Sequence, residues 1–177
     1  MVQVLSQFSQ HRSSWSLLLL SCVLLFAIAL YFQHGMALEP CLYCIYIRVA
    51  VIAVALSALI GLLQPRTLIT AWLSFVSWIV SAAWGLWLAL ELVEKQSGNA
   101  PTGLFGASCD YIPNFPAWMP LHQWWPALFQ PQGQCSDEAW QWLGVTMAQW
   151  MVGVFALYLA LALLFALART VASRQPH

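Results

Sequence analysis

Four stretches of this chain run for about 18 to 23 residues with at most one charge apiece, the length an α-helix needs to cross a bilayer core. They are Trp15 to Phe32, Ile45 to Leu63, Leu68 to Leu90 and Met147 to Ala168, and the one charge they contain is Arg48. Of 177 residues, 62% are hydrophobic and 7% charged, whereas an ordinary soluble domain is near a quarter charged. So few charges cannot clothe a water-soluble surface, and lipid is the expected solvent. A formal net charge of +0 provides no basic footprint for nucleic acid, which is set aside as a partner. The expected fold is an all-α integral membrane protein, one domain over residues 1–177, built as a bundle of four transmembrane helices.

The segments between the runs give the bundle its layout. Met1 to Ser14 is polar and carries His11 and Arg12. The run that follows has some marks of a secretory leader, with Ala27-Ile28-Ala29 as a small-x-small cleavage site. It outlasts the roughly 7 to 15 apolar residues of a leader core and continues past the cut, so it is read as the first spanning helix. Residues 33–44, with His34, Gly35 and Glu39, are too few to hold a domain, which makes the first two helices an antiparallel hairpin. Gln64-Pro65-Arg66-Thr67 turns the chain at the opposite end. Residues 91–146 are the only long polar region, and Pro101, Gly103, Gly106, Pro113, Pro116, Pro120, Pro126, Pro131 and Gly133 break any long helix there. Within it, Leu121, Trp124, Trp125, Leu128 and Phe129 share one helical face, predicting a short helix lying on the bilayer and kinked or split at Pro126. Tryptophan gathers at the headgroup layer, and this chain has 11 of them. No internal repeat or low-complexity tract is present.

Arg12, Arg66, Arg169 and Arg174 fall at one end of the bundle, against Lys95 and Arg48 at the other. The positive-inside rule then puts both termini in the cytoplasm. Cys41, Cys44, Cys109 and Cys135 all fall on the outer face, and Cys22 alone lies within a helix. In a bacterium that face is the oxidising periplasm, where disulfides persist, and residues 33–44 and 91–146 are its loops. An odd total of 5 cysteines suggests two pairs and one spare thiol.

Cys41-Leu42-Tyr43-Cys44 has a spacing that serves either half a zinc site or a redox dithiol. No second Cys-x-x-Cys and no His-x3-His accompanies it, and haem attachment would need histidine where Ile45 stands. Pro40 sits where the chain enters the second helix, so Cys44 lies in or just before the first turn, where the helix dipole favours a thiolate. Arg48, four residues on, adds positive charge to the same face. The plainer reading of Arg48 is an interfacial side chain that snorkels to the headgroups. Against it, a cation near a helix N-terminus opposes the dipole, and a charge among apolar membrane residues generally has a partner.

Cys109 and Cys135 would close a loop of about 26 residues, a staple worth roughly 3.5 kcal/mol in the chain-entropy model. Two pairs on one face, one of them at a helix terminus, point instead to thiol–disulfide exchange between pairs. Cys22 reads as a small packing residue, and His34 and His122 as interfacial polar side chains. Leu104 and Phe105 are either an apolar recognition strip or simple lipid contacts. The competing function is a membrane metal-binding protein whose outer thiolates take Zn or Cu(I). Thiol counting separates the two, because two disulfides leave at most one free cysteine.

The sequence resembles the bacterial disulfide bond formation protein B (DsbB) family over nearly its whole length. The likeness rests on Phe32-Gln33-His34 before the turn, Pro40-Cys41 to Cys44-Ile45-Tyr46 with Arg48, and Cys109-Asp110. It extends through Phe115-Pro116-x-Trp118-x-Pro120-Leu121 to Gln149-Trp150 opening the last helix. The resemblance implies an inner-membrane oxidoreductase that reoxidises a periplasmic thioredoxin-fold oxidase of the DsbA type and passes two electrons to a membrane quinone, ubiquinone or menaquinone. By position it implies that Cys109 forms the mixed disulfide with the partner. Cys135 then exchanges with Cys41 and frees Cys44 as a thiolate. Cys44, assisted by Arg48, reacts with the quinone and returns to a disulfide with Cys41. Two positions depart from the family pattern. Ile47 stands where an acidic residue can precede the arginine, and Leu92 where a histidine can follow the glutamate ending the third helix. Proton delivery then falls to water, Glu39 or Glu91, and the departures are compatible with a paralogue serving its own dedicated oxidase.

Overall fold

The computed structural model describes residues 11–63, 68–97, 113–133 and 140–173. In chain order these form α1 (Arg12–His34), α2 (Leu42–Leu63) and α3 (Leu68–Gln96), then the single turns α4 (Leu121–Trp124) and α5 (Pro126–Phe129). A two-stranded antiparallel hairpin, β1 (Gln141–Trp142) and β2 (Val145–Thr146), leads into α6 (Met147–Ser173). Helices α1, α2, α3 and α6 are long and apolar enough to cross a membrane, so the protein is a four-helix membrane bundle.

Every spanning helix outruns its apolar stretch. Apolarity marks where the lipid core ends, whereas the hydrogen-bond ladder continues until a breaker stops it. α3 carries on through Glu91, Leu92, Val93, Glu94, Lys95 and Gln96, nearly all good helix formers. α2 begins at Leu42 rather than Ile45, directly after Pro40 and Cys41.

The expected interfacial helix is two separate turns. Trp125 has φ −135° and ψ 74°, as the residue before a proline is pushed out of the helical region, and the apolar positions no longer share a face. Phe129 is buried, while Trp124 and Trp125 are more than half exposed. The hairpin was not predicted by the hydrophobic pattern. Its turn places Leu143 at φ 55° and Gly144 at φ 76°, the two left-handed residues of a primed hairpin turn. Leucine seldom adopts that conformation.

Lipid tails are as apolar as leucine, so helices in a bilayer associate through close packing and small residues. α2 packs on α1 and α3, and α3 packs on α6, through buried Ala50, Val54 and Ala58 on α2 and Ser74, Ala82 and Ala89 on α3. The buried Ser57 and Ser74 hydroxyls donate to their own helix, at Val54 O and Thr70 O. Across the α1–α6 seam, Ser21 Oγ and Tyr158 OH lie 2.8 Å apart. Cys22 is buried beside the same hydroxyl at 3.9 Å, as a packing residue should be. At the end away from Cys41, Trp15 meets Phe75 and Trp78 at 5.2 and 5.8 Å, and its ring lies where a Cβ on Gly61 would stand. Phe155 occupies the same position against Gly85.

Gly61→Ala and Gly85→Ala should therefore each lower stability by about 1–3 kcal/mol through overpacking. Gly153, with nothing within 4 Å of a built Cβ, should accept alanine neutrally or with a gain of about 0.5–1 kcal/mol. Thermal unfolding midpoints in one detergent check the contrast, and equal effects at all three positions would contradict it.

Candidate redox site

The start of α2 is built from the spacing of its two thiols. Pro40 cannot donate a hydrogen bond and ends the short loop, and Cys41 then stands at the N-cap. Its carbonyl accepts the first helical bond from Ile45 N at 3.2 Å, and its sulfur accepts from Cys44 N at 3.3 Å. This is the N-cap to N3 relation that serine and threonine supply in a capping box, made here by sulfur. The same relation brings the two side chains together, with Sγ to Sγ at 2.7 Å. Both cysteines are free thiols, close enough to join without moving the backbone. The hydrogen bond to the Cys44 sulfur, and then burial, push the Cys41 thiol above its ordinary value. Either sulfur can donate to the other, and the Cys41 thiol is the one held back from ionising.

Arg48 lies one turn further along and is 7% exposed. It does not snorkel. Nη1 donates to Gln33 Oε1 at 2.6 Å and to Leu128 O at 3.1 Å, and Nη2 donates to Ala29 O at 3.3 Å. All three acceptors are uncharged, and the guanidinium interacts favourably with negative charge on either sulfur.

The long loop closes over this end of the bundle. Gln33 Nε2 donates to Ala127 O at 2.8 Å, beside the Leu128 carbonyl that Arg48 holds. Gln132 N and Gly133 N donate to Pro40 O at 3.0 and 3.2 Å. The approach is so close that a Cβ on Gly133 would strike the Glu39 carbonyl. Earlier in the loop, Asn114 N donates to Tyr46 OH at 2.8 Å, and Phe115 stands edge-on to the Tyr46 ring at 5.6 Å. His122 stacks on Phe115 at 5.9 Å, and His34 is exposed. Cys109 and Cys135, like Leu104 and Phe105, lie outside the described residues.

Beneath the loop is a cavity of about 270 Å³, largely apolar, on which Cys41, Cys44, Arg48 and Glu39 open. Ile47 and Leu92, the two positions that depart from the family pattern, are buried apolar parts of its wall. α6 supplies Met147, Ala148 and Met151. It is fixed at this level by a capping box in which Thr146 N donates to Gln149 Oε1 at 3.0 Å and Gln149 N to Thr146 Oγ1 at 3.3 Å. Gln96 also lines the cavity, and its Oε1 is buried with no partner among the described residues. Among those residues no three His, Cys, Asp or Glu side chains converge.

Gln33 and Gln96 were not singled out by chemistry in the sequence. Gln33 had one legible sign, an amide closing an apolar run opposite a lone arginine. Gln96 had none, because the apolar pattern ends six residues before it.

Two thiols within bonding reach at a helix end of a membrane bundle are the arrangement of a membrane thiol–disulfide oxidoreductase. Residues 11–165 match the sequence model of the family described as disulfide bond formation protein DsbB, and the chain belongs to that family of disulfide-forming proteins. It is 50% identical over 154 residues to the disulfide bond formation protein B of Shewanella frigidimarina (strain NCIMB 400), covering 87% of this chain and 89% of that one. With the protein of the same name from Shewanella sp. (strain ANA-3) it shares 48% over 160 residues, 90% and 89% of the two chains. The Psychromonas ingrahamii protein of that name is 42% identical over 172 residues, 97% and 91% of the two chains.

Because the Cys41 thiol is the one held back from ionising, a small alkylating reagent applied to the reduced protein near neutral pH should modify Cys44 first. Peptide mass spectrometry of partly alkylated protein checks this. Preferential labelling of Cys41 would contradict the assignment.

Proposed function

We propose that the protein reoxidises a periplasmic thioredoxin-fold dithiol oxidase of the DsbA type and passes two electrons to a membrane quinone, ubiquinone or menaquinone. We place it as one membrane domain, residues 1–177, in a bacterial inner membrane with both termini in the cytoplasm. The observation that carries the reading is the meeting of Cys44 and Arg48 on one apolar cavity at the loop end of the bundle.

The residues around that cavity suit a quinone ring. A cavity of roughly 150 Å³ is enough for benzene, so about 270 Å³ accommodates a substituted ring. The Arg48 guanidinium is a donor for a carbonyl oxygen, and Gln96 Oε1, which has no partner among the described residues, is an acceptor for a hydroxyl. When bound, a quinone supplies an acceptor for two electrons and two protons. Orientation is supported by the arginines: Arg12 lies at the start of α1 and Arg169 near the end of α6, both away from Cys41.

A thiolate of the partner attacks Cys109 Sγ, the Cys109–Cys135 bond breaks, and Cys135 leaves with the electron pair. Cys135 attacks Cys41 Sγ, breaking the Cys41–Cys44 bond and leaving Cys44 as a thiolate beside Arg48. The partner's second thiol resolves the mixed disulfide, so its dithiol leaves oxidised and Cys109 is released. Cys109 re-forms its bond to Cys135, which frees Cys41. The Cys41–Cys44 dithiol then gives up two electrons and two protons and closes again to a disulfide. The anchoring of Gly133 on Pro40 supports the middle step. Cys135 follows Gly133 by two residues, which span at most about 7 Å between Cα atoms.

Purified protein should couple oxidation of a reduced thioredoxin-fold dithiol protein to quinone reduction, and Cys44→Ser should stop quinone reduction. Normal turnover in that variant would overturn the mechanism. Arg48→Ala should raise the apparent KM for quinone, and an unchanged value would remove Arg48 from the chemistry.

Gly133→Ala, which drives a methyl group into Glu39, should slow oxidation of the protein dithiol several-fold. Reaction of the reduced Cys41–Cys44 pair with quinone should be unaffected. Stopped-flow traces of the two half-reactions check this, and equal slowing of both would contradict the docking role of Gly133.

A further inference from the structure

We propose that Gln33 is a positioning residue: it holds Arg48 beside the Cys41–Cys44 pair through an uncharged acceptor, which leaves the full positive charge available to the sulfurs. The inference rests on the reading above, in which the charge of Arg48 favours the Cys44 thiolate.

A guanidinium inside a membrane bundle needs its donors satisfied, and pairing with a carboxylate is a usual means. Such a pair would be the stronger hydrogen bond, but it would cancel the charge. Here the acceptors are an amide oxygen and two backbone carbonyls. Gln33 is also suited to its place by having both kinds of hydrogen-bonding group. Oε1 accepts from Arg48 at 2.6 Å, while Nε2 donates to Ala127 O at 2.8 Å. Glutamate in its place would keep the shape and the acceptor, lose the donor and add a negative charge. Methionine or leucine would lose both hydrogen bonds and add no charge.

Among the described residues, the other ionisable groups near the pair make no hydrogen bond to Arg48. Glu39 and Cys41 open on the same cavity. Tyr43 has Lys95 over its ring at 5.3 Å and feels the charge of Glu91. Tyr46 OH is engaged by Asn114. The cavity-lining residues of α1 and α6 are all non-ionisable.

The test uses the reduced full-length protein in lipid nanodiscs, following the rate of Cys44 alkylation by iodoacetamide against pH. The proteins are the unchanged chain, Gln33→Glu, Gln33→Met, Gln33→Leu and Arg48→Met. Gln33→Glu should displace the profile to higher pH and slow alkylation at neutral pH on the order of tenfold, with either neutral variant moving it less. A merely structural role reverses that order, because glutamate matches glutamine in shape while methionine and leucine remove both hydrogen bonds. The two neutral variants guard against one of them failing to fold. If Arg48→Met displaces the profile and Gln33→Glu does not, the role of Gln33 is overturned and that of Arg48 stands. If Arg48→Met also leaves the profile unmoved, the reading of Arg48 falls and this inference with it.

Discussion

Arg48 carries its charge inside the apolar body of the bundle, and the surrounding structure is arranged to keep it there. A cation at such depth costs several kcal/mol unless its donors are satisfied within the protein. Ala29 and Gln33 on α1 and Leu128 on α5 supply the acceptors. One side chain thereby joins the last turns of the first helix, the second turn of α2 and the long loop. The loop rests on the bundle through these bonds and those to Pro40 and Tyr46. Because these three acceptors are neutral, the bonds among the described residues leave the charge intact.

The thiol pair stands beside that charge, at the start of the helix that carries both. Cys41 caps the helix with its sulfur, and Cys44 sits in the first turn, where unpaired N–H groups and the helix dipole favour an anion. Cys-x-x-Cys spacing, capping geometry and the 2.7 Å approach of the sulfurs are one arrangement described at three levels. Cavity, loop anchor and thiol pair all meet at this helix end.

The four spanning helices were legible because lipid demands long uncharged runs and little else in a sequence imitates them. Their ends were less so, since residues such as Glu94 and Lys95 leave the lipid core without leaving the helix. Proline at 126 announced a break and the departure of Trp125 from helical angles, but not which apolar side chains that departure would leave exposed. The hairpin was hidden by Leu143 in a conformation that normally selects glycine or asparagine. In the site, Cys41, Cys44 and Arg48 were legible from spacing and charge. What Arg48 touches was not, because its acceptors are a distant amide and backbone carbonyls, and any residue carries a carbonyl. Cys109 and Cys135 were singled out by count and by family resemblance, and they lie outside the described residues.

The central claim is that the Cys41–Cys44 pair itself delivers two electrons to a quinone. A single-turnover experiment on protein carrying Cys109→Ala and Cys135→Ala, reduced and then mixed with a stoichiometric amount of quinone, tests it most directly. One Cys41–Cys44 disulfide should form for each quinone reduced, as read by mass spectrometry of alkylated peptides alongside quinone absorbance. Quinone that stays oxidised, or is reduced while both thiols remain free, would contradict it.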